Sequence, residues 1–514
     1  MYKKIIALFL ILVLSISMLT ACGGRKEVGS NNDISSKELV FATTIPTATI
    51  DPANGYGGWF TMRYGVGETL FKLDESMQPV PWLAESYENI DETTWKIVLK
   101  NNITFQNGKE MTGEAVKASL ERVMEINDRA PSTLRIADIQ VEGQNLIIKT
   151  SVMNPTLING LCDPFACIID VEAGTDFETA IVGTGPYMIE KFQPNASSTV
   201  VKYTGYWDGT PKLDRVTIKP ISDGDTLTMA LQSGEVDATQ GMPYSSHKLF
   251  ENNSDYKISN NSTSRVFMLY YNHKNPFLSN MNVRKAINMA INKENYASIL
   301  LSGAAEPAVG AFPSALPYGS NKLTSDEFDL ETAKNLLVQE GYVDSDGDGI
   351  LEKDGKKLSL RLVTYSSRVE LPILSEAIQA QLKEIGVEVI VEVEENANDR
   401  LKADDFDLSA YAYVTSPTGD PLSYIDYVFK TDGVSNFGHY SNAKVDALIE
   451  ELRSEFDPQK RNDLALEIQQ IALDEYAFTF MAHLQMAFVM KSNVVGLEVH
   501  PTDYYQINVN TDIR

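Results

Sequence analysis

The sequence predicts a mixed α/β protein of two or three domains, and three features carry that expectation. Leu358, Leu360 and Leu362 alternate as a half-buried strand would; Leu371, Leu374, Ile378, Leu382 and Ile385 then recur at helical spacing, and Val387, Val389, Val391 and Val393 alternate again. Gly386 supplies the helix stop. Such a strand–helix–strand crossover packs its helix on a largely parallel sheet, whose ligands bind beyond the carboxyl ends of the strands. About 490 residues remain once an N-terminal leader is set aside, more than a single core holds. Alternating strands and well-marked helices also occur in both halves of the chain, with no visible repeat.

At the N-terminus, Lys3 and Lys4 precede an apolar run from Ile5 to Leu19 that closes on Leu19-Thr20-Ala21-Cys22. A basic start, a short apolar run and small residues make a secretory signal over residues 1–21. The run is short for a membrane span, which needs about 20 apolar residues. Cysteine directly after the small residues resembles the bacterial lipobox, which implies diacylation of the Cys22 thiol and a tether to a membrane face. Residues 22–37, rich in Gly, Ser and Asn, read as a flexible leash. The expected location is extracytoplasmic and lipid-anchored, on the surface of a Gram-positive cell or on the periplasmic side. Loss of Lys3 and Lys4 takes the formal charge from −26 to −28, a surface that repels nucleic acid. Cys162 and Cys167 remain, and in an exported chain they fit either a disulfide or two buried thiols.

Further elements follow in order. Trp95, Ile97 and Leu99 precede Gln106-Asn107-Gly108-Lys109, a strand and then a turn. A helix begins near Thr112 and carries Leu120, Val123 and Met124. Asp344-Ser345-Asp346-Gly347-Asp348 matches the start of a calcium loop, but Gly355 stands where the bidentate Glu should be, and an acidic hairpin is the better reading. Val445, Leu448, Ile449 and Leu452 mark a helix, and Asp457-Pro458 caps and starts another through Leu464, Ile468 and Ile471.

Ten short segments, in order, resemble the peptide/nickel family of ABC solute-binding proteins, often called family 5 or cluster C. They are Asp51-Pro52, Gly67-Glu68-Thr69-Leu70, Pro81-Trp82-Leu83-Ala84-Glu85-Ser86, Phe105-Gln106-Asn107-Gly108, Gly183-Thr184-Gly185-Pro186-Tyr187, Tyr206-Trp207, Gly234-Glu235-Val236-Asp237, Asn272 with Pro276-Phe277, Val283-Arg284-Lys285-Ala286, and Asn436 to Asn442. The resemblance implies two lobes that close on a ligand about a hinge near Arg265 and His483. Lobe I would hold 38–265, with a subdomain over about 73–197, and regain 485–514; lobe II would hold 266–484. Arg284 and Asp237 read as structural anchors. A monomer is expected, delivering a small polar solute to the permease and ATPase subunits of an importer, with no cofactor and no catalysis.

Within that family, oligopeptides and nickel carried by small chelators are the main cargoes. Peptide binders place an acid for the peptide amine ahead of a Gly-Asp-Pro-like segment, here Thr415-Ser416-Pro417-Thr418-Gly419-Asp420-Pro421; Asp420 stands as an anchor or as an ordinary turn start, and Pro417 replaces the Asp of dipeptide binders. Nickel-binding relatives use an Arg in the segment matching 155–169, an aromatic pair at Thr415 and Gly419, and a His near Gly433, none of which is present. The stretch Tyr56 to Gly65 and the tail His500 to Tyr505 nevertheless look more like the nickel group. The expected ligand-binding residues are therefore Tyr56, Trp59, Arg63, Thr415, Ser416, Asp420, Thr502 and Tyr504, with nickel or a nickel chelate as cargo and an oligopeptide as the alternative. Arg63 would neutralise a cargo carboxylate or pair with an acid such as Glu68. Of the five histidines, His500 is the best metal-facing candidate, His439 and His483 read as structural, and His247 and His273 as solvated.

A secreted hydrolase is the rival from another class. No Gly-x-Ser-x-Gly elbow and no His-Glu-x-x-His pair occurs. Ser245-Ser246-His247-Lys248 fits a Ser-x-x-Lys pattern, yet its Lys-Thr-Gly partner is missing.

Overall fold

A computed structural model describes residues 36–514 apart from 367, 369 and 396. The leader, the lipobox at Cys22 and most of the leash lie outside the described residues. No helix among the described residues is long and apolar enough to cross a membrane.

An eleven-stranded mixed sheet is the frame. Its order is Glu388–Glu394, Ser359–Tyr365, Leu408–Val414, Tyr256–Tyr271, Phe478–Lys491, Ala238–Gln240, Glu38–Thr43, Arg215–Pro220, Ser198–Lys202 and Tyr187–Lys191, with Ala305–Pro307 also on Phe478–Lys491. The two long strands in the middle hold the halves together. Tyr256–Tyr271 gives its second part, Arg265 to Tyr271, to strand 408–414, while 488–490 of its antiparallel partner join 238–240 on the other side. Their mutual register shifts between Ser262 and Val266, the kind of irregularity that lets a ladder bend. Arg265 and His483 sit at that shift.

The predicted crossover is present. Strands 359–365 and 388–394 pair in parallel from Ser359↔Glu388 to Tyr365↔Glu394, and helix Glu370–Glu384 connects them. Leu371, Leu374, Ile378 and Leu382 are all buried, and Gly386 takes φ +84 to end the turn. Local chemistry sets other boundaries where the sequence placed them: Thr112 accepts from Ala115 N to cap Gly113–Ile126, and Asp457 accepts from Lys460 N to cap Pro458–Asp474.

A separate four-stranded antiparallel sheet, in the order Ala84–Asp91, Thr94–Leu99, Asn145–Thr150, Ile136–Glu142, forms a second layer within 84–150, whereas Tyr187–Lys191 belongs to the main sheet. Trp95, Leu99 and Leu120 of this layer share one buried apolar cluster with Tyr424, Phe429 and Ile449. Among the family-like segments, Glu68 is fully buried and accepts from Tyr206 Oη (2.6 Å), Trp207 Nε1 (2.9 Å) and Thr184 Oγ1 (2.8 Å). Burial outweighs those donors and pushes its carboxyl up to about 7. Arg284 donates to Tyr476, Leu278 and Glu475 carbonyls, and Asp237 accepts from Val40 N and Lys491, so both are structural anchors.

Candidate functional site

The helix Gly57–Arg63 brings Trp59 and Arg63 against the Asp503–Tyr504 tail, with Tyr56 just ahead of it, and the local sequence explains how. Asp51 takes a two-pronged pair from Arg122 (2.8 and 2.6 Å) and caps Ala53 N, which fixes the entry loop. Gly58 lies so close to the Pro164 carbonyl that a Cβ would collide with it, so the helix seats directly on that segment.

Tyr56 is 57% exposed, the most open of the predicted aromatics. Its ring meets Trp59 edge-on at 5.0 Å, and the Arg129 guanidinium lies 4.6 Å over its face. Trp59 packs against Tyr504 at 5.4 Å, and its indole Nε1 is buried with no acceptor among the described residues. A buried donor without a partner is costly, so this N–H is a place for a ligand atom or water. Opposite stand Tyr365, Tyr411 and Tyr413, half-buried on strands 359–365 and 408–414, with Tyr365 and Tyr411 rings 5.4 Å apart. Tyr56 is near enough to Tyr411 and Tyr413 to help raise both phenols, after burial as the main cause. The two aromatic groups therefore face one another across a cleft.

Near Tyr365, on one of these walls, are two guanidinium groups. Arg265, on the crossing strand, has no side-chain hydrogen bond and no ion pair among the described residues, and neither has Arg368 just ahead of helix 370–384. Burial above all, and then the neighbouring Arg368, hold Arg265 down to about 10, with Asp503, Tyr365 and Glu370 offsetting only part of this. Two cations thus stand side by side, one of them largely desolvated, with Asp503 and Glu370 near enough to act on Arg265 but bonded to neither guanidinium among the described residues.

Several predicted site residues are committed elsewhere. Arg63 is not free for a carboxylate: it donates to Asp503 Oδ1 (2.7 Å) and to the Asp503 carbonyl (3.2 Å), so its partner is Asp503 and not Glu68. Asp420 is not an open acid either. Arg461 takes both of its oxygens at 2.7 Å, and Asp420 caps Leu422 N at 2.8 Å. Thr415 Oγ1 donates to the Ser264 carbonyl (3.0 Å), and Ser416 Oγ shares a hydrogen bond with Tyr318 Oη (2.8 Å); both residues are fully buried. Tyr504 Oη donates to the Pro417 carbonyl at 3.2 Å.

His500 has no lone pair to offer a metal. Its Nε2 donates to the Asp74 carbonyl (3.0 Å), and its Nδ1 accepts from Thr502 N (3.2 Å) and shares a hydrogen bond with Thr502 Oγ1 (2.9 Å). Burial holds it down to about 4, so it is neutral at any physiological pH. His483 is buried and bonded to Ser320 Oγ, and His439 to Asp404, as structural residues would be. His273 is correspondingly not solvated: its Nε2 meets the Ala477 carbonyl at 3.3 Å, and burial takes it down to about 4. His247 is likewise held down by burial. Cys162 and Cys167 are two buried free thiols, which decides between the readings left open for them.

Among the described residues, one group of three His, Cys, Asp or Glu side chains converges closely enough to hold a metal, Asp344, Asp346 and Asp348. All three are exposed, and the Lys357 ammonium already bridges Asp346 and Asp348 beside the hairpin 352–357. The aromatic walls and the arginine pair thus offer planar surfaces and positive charge to a bound molecule, but no carboxylate or imidazole cage for a bare cation.

Residues 78–436 match the family model of bacterial extracellular solute-binding proteins, family 5. Across 97% of its length the chain is 30% identical to the nickel-binding protein NikA of Staphylococcus aureus, covering 98% of that protein; the crystal structure of that NikA with Ni(L-His)2 superposes over 93% of this chain and all of that one with a TM-score of 0.76. The nickel ABC transporter structure from Bacillus halodurans is 32% identical, covers 93% of this chain and all of its own, and has a TM-score of 0.82. The oligopeptide-binding protein AppA of Bacillus subtilis is 25% identical over 85% of this chain and 84% of its own.

Proposed function

We propose, for a chain that belongs to the bacterial extracellular solute-binding proteins of family 5, that the cargo is a carboxylate-bearing chelate of a divalent metal, nickel foremost. The membership makes this the two-lobed substrate-binding component of an ABC importer, a solute-binding family and not a catalytic one, which works with permease and ATPase subunits. The cargo reading rests on one observation, the unpaired Arg265 beside Arg368 near Tyr365. A guanidinium stays charged, so the site is completed by an anion. A metal held by amino-acid chelators brings such carboxylates, together with planar imidazole or amine groups that suit the walls formed by Tyr56, Trp59, Tyr411 and Tyr413. Trp59 Nε1 supplies a further donor. The similarity to nickel-binding relatives points the same way. Asp420, which would anchor a peptide amine, is held by Arg461, and this weighs against an oligopeptide cargo.

In this reading 38–265 with 485–514 form one lobe and 266–484 the other, turning about the shift near Ser262 and Val266. Cargo contacts on both sides stabilise the closed state by their differential affinity. Thr415, Ser416, Asp420, Arg63, Thr502 and Tyr504 shape the walls and do not bind through free polar atoms. Cys22 carries the lipid, and the protein works as a monomer at the membrane face.

Calorimetry with nickel(II) alone, nickel(II) with excess L-histidine, and a peptide mixture tests the cargo. Binding of the nickel–histidine mixture, and its loss in Arg265→Gln by about 30-fold or more (a charge-assisted pair of about 2 kcal/mol), is expected. Binding of peptides alone, or an Arg265→Gln protein that binds as the wild type does, overturns it.

A further inference from the structure

The loop that carries Asp420 touches the opposite side of the cleft at three places, always through its backbone. Tyr504 Oη donates to the Pro417 carbonyl (3.2 Å), Asn159 Nδ2 donates to the Thr418 carbonyl (3.0 Å), and Gly419 lies against the Met77 carbonyl so closely that a Cβ would collide with it. Gly419 also takes φ +74, a conformation that favours glycine.

Both surfaces of this contact are braced by hydrogen bonds. On the loop side, Arg461 clamps Asp420 bidentately, and Tyr318 Oη donates to the Gly419 carbonyl (2.9 Å). On the other side, Met77 sits in a turn closed by Met77 N to Asp74 O and Asp74 N to Gln78 O, both 2.9 Å. His500 Nε2 donates to that same Asp74 carbonyl, and Tyr505 Oη accepts from Leu73 N (2.9 Å). His500 and Tyr505 are therefore braces behind the turn, and their ring planes meet edge-on at 4.7 Å.

We propose that the 417–420 loop and the Asp74–Gln78 turn form a mechanical stop that fixes the width of the closed cleft, so that cargo is selected by size, with Gly419 as the specificity-determining residue. Packed backbone deforms little, so contact between two braced segments sets a limit and does not yield to the cargo. A cargo smaller than the remaining gap loses contact with one wall, and a larger one holds the lobes short of the stop. The proposal goes beyond the cargo assignment and stands whichever ligand class binds.

Two wedges test it. Gly419→Ala thickens the loop side, and Asn159→Trp thickens the other side without a strained backbone, while Asn159→Ala removes one hydrogen bond and adds no bulk. Affinities for nickel(II) with excess L-histidine and for a ladder of peptides of increasing length are measured. Spin labels at Lys191→Cys and Glu395→Cys report the shortest distance between the lobes, with and without each probe. Both wedges should move the short edge of the distance distribution outward and weaken the smallest bound probe about tenfold more than the largest. Asn159→Ala should leave the short edge in place. An unchanged short edge in both wedges, or an equal loss for small and large probes, overturns the stop. If the wild type binds peptides only, the chelate reading fails while the peptide ladder still tests the stop.

Discussion

Two arginines near the cleft have opposite fates. Arg461 is 8% exposed, gives both oxygens of Asp420 their partner, and spends its remaining N–H groups on the Leu452 and Glu455 carbonyls. Arg265 is also desolvated, yet nothing among the described residues accepts from its guanidinium, and a second cation stands beside it. Desolvating a charge costs several kcal/mol unless a partner is at hand. Folding supplies that partner for Arg461; for Arg265 it is left to the cargo. The comparison separates residues that build the fold around the cleft from residues left for the cargo to use.

Breaking the closed pair should have the largest effect. Arg461→Met leaves Asp420 buried without its cation and should destabilise the protein by about 3–5 kcal/mol in urea unfolding; a loss under about 1 kcal/mol would mean that Asp420 is free to serve the cargo after all. Opening the unpaired site should do the reverse. Arg265→Gln should keep or slightly raise unfolding stability, since it removes like-charge repulsion, while cargo binding falls as above.

Glu68 sharpens the comparison as a third case, a buried acid satisfied by three neutral donors. Its carboxyl is raised to about 7, so the folded state holds the extra proton between about 4.5 and 7. The stability it contributes is full below about 4.5 and fades as pH rises through 7. Glu68→Gln should remove that slope, changing the pH 5 to pH 8 difference by about 2–3 kcal/mol; parallel stability curves for the two proteins would contradict it. The smallest effect belongs to Arg368→Gln. It should weaken cargo about fivefold to tenfold and show the stronger salt dependence of the two.

Much of the frame was legible because its signals are local. Thr112 and Asp457 cap helices three residues away, Gly386 ends a helix by its own backbone, and the leucines and valines of 358–393 carry their periods in plain view. The cleft was legible in part. For Arg63 and Asp420 the sequence left two readings open, and only the fold chooses between them, because the partners Asp503 and Arg461 are distant in sequence; the same holds for His500 and Asp74. Arg265 was visible only as a hinge residue and Arg368 not at all. Lacking a partner is a property of the folded neighbourhood, and no spacing rule reports it. The one available hint was an arginine at the point where a strand of apolar and aromatic residues, Val266 to Tyr271, begins.

Native mass spectrometry of the protein purified from cells grown with nickel tests the central claim most directly, with Arg265→Gln prepared alongside. The wild type should carry one adduct whose isotope pattern and mass identify a divalent metal with carboxylate chelators, and the variant should be empty. A ladder of peptide masses on the wild type, or the same adduct retained in full by the variant, would contradict the account.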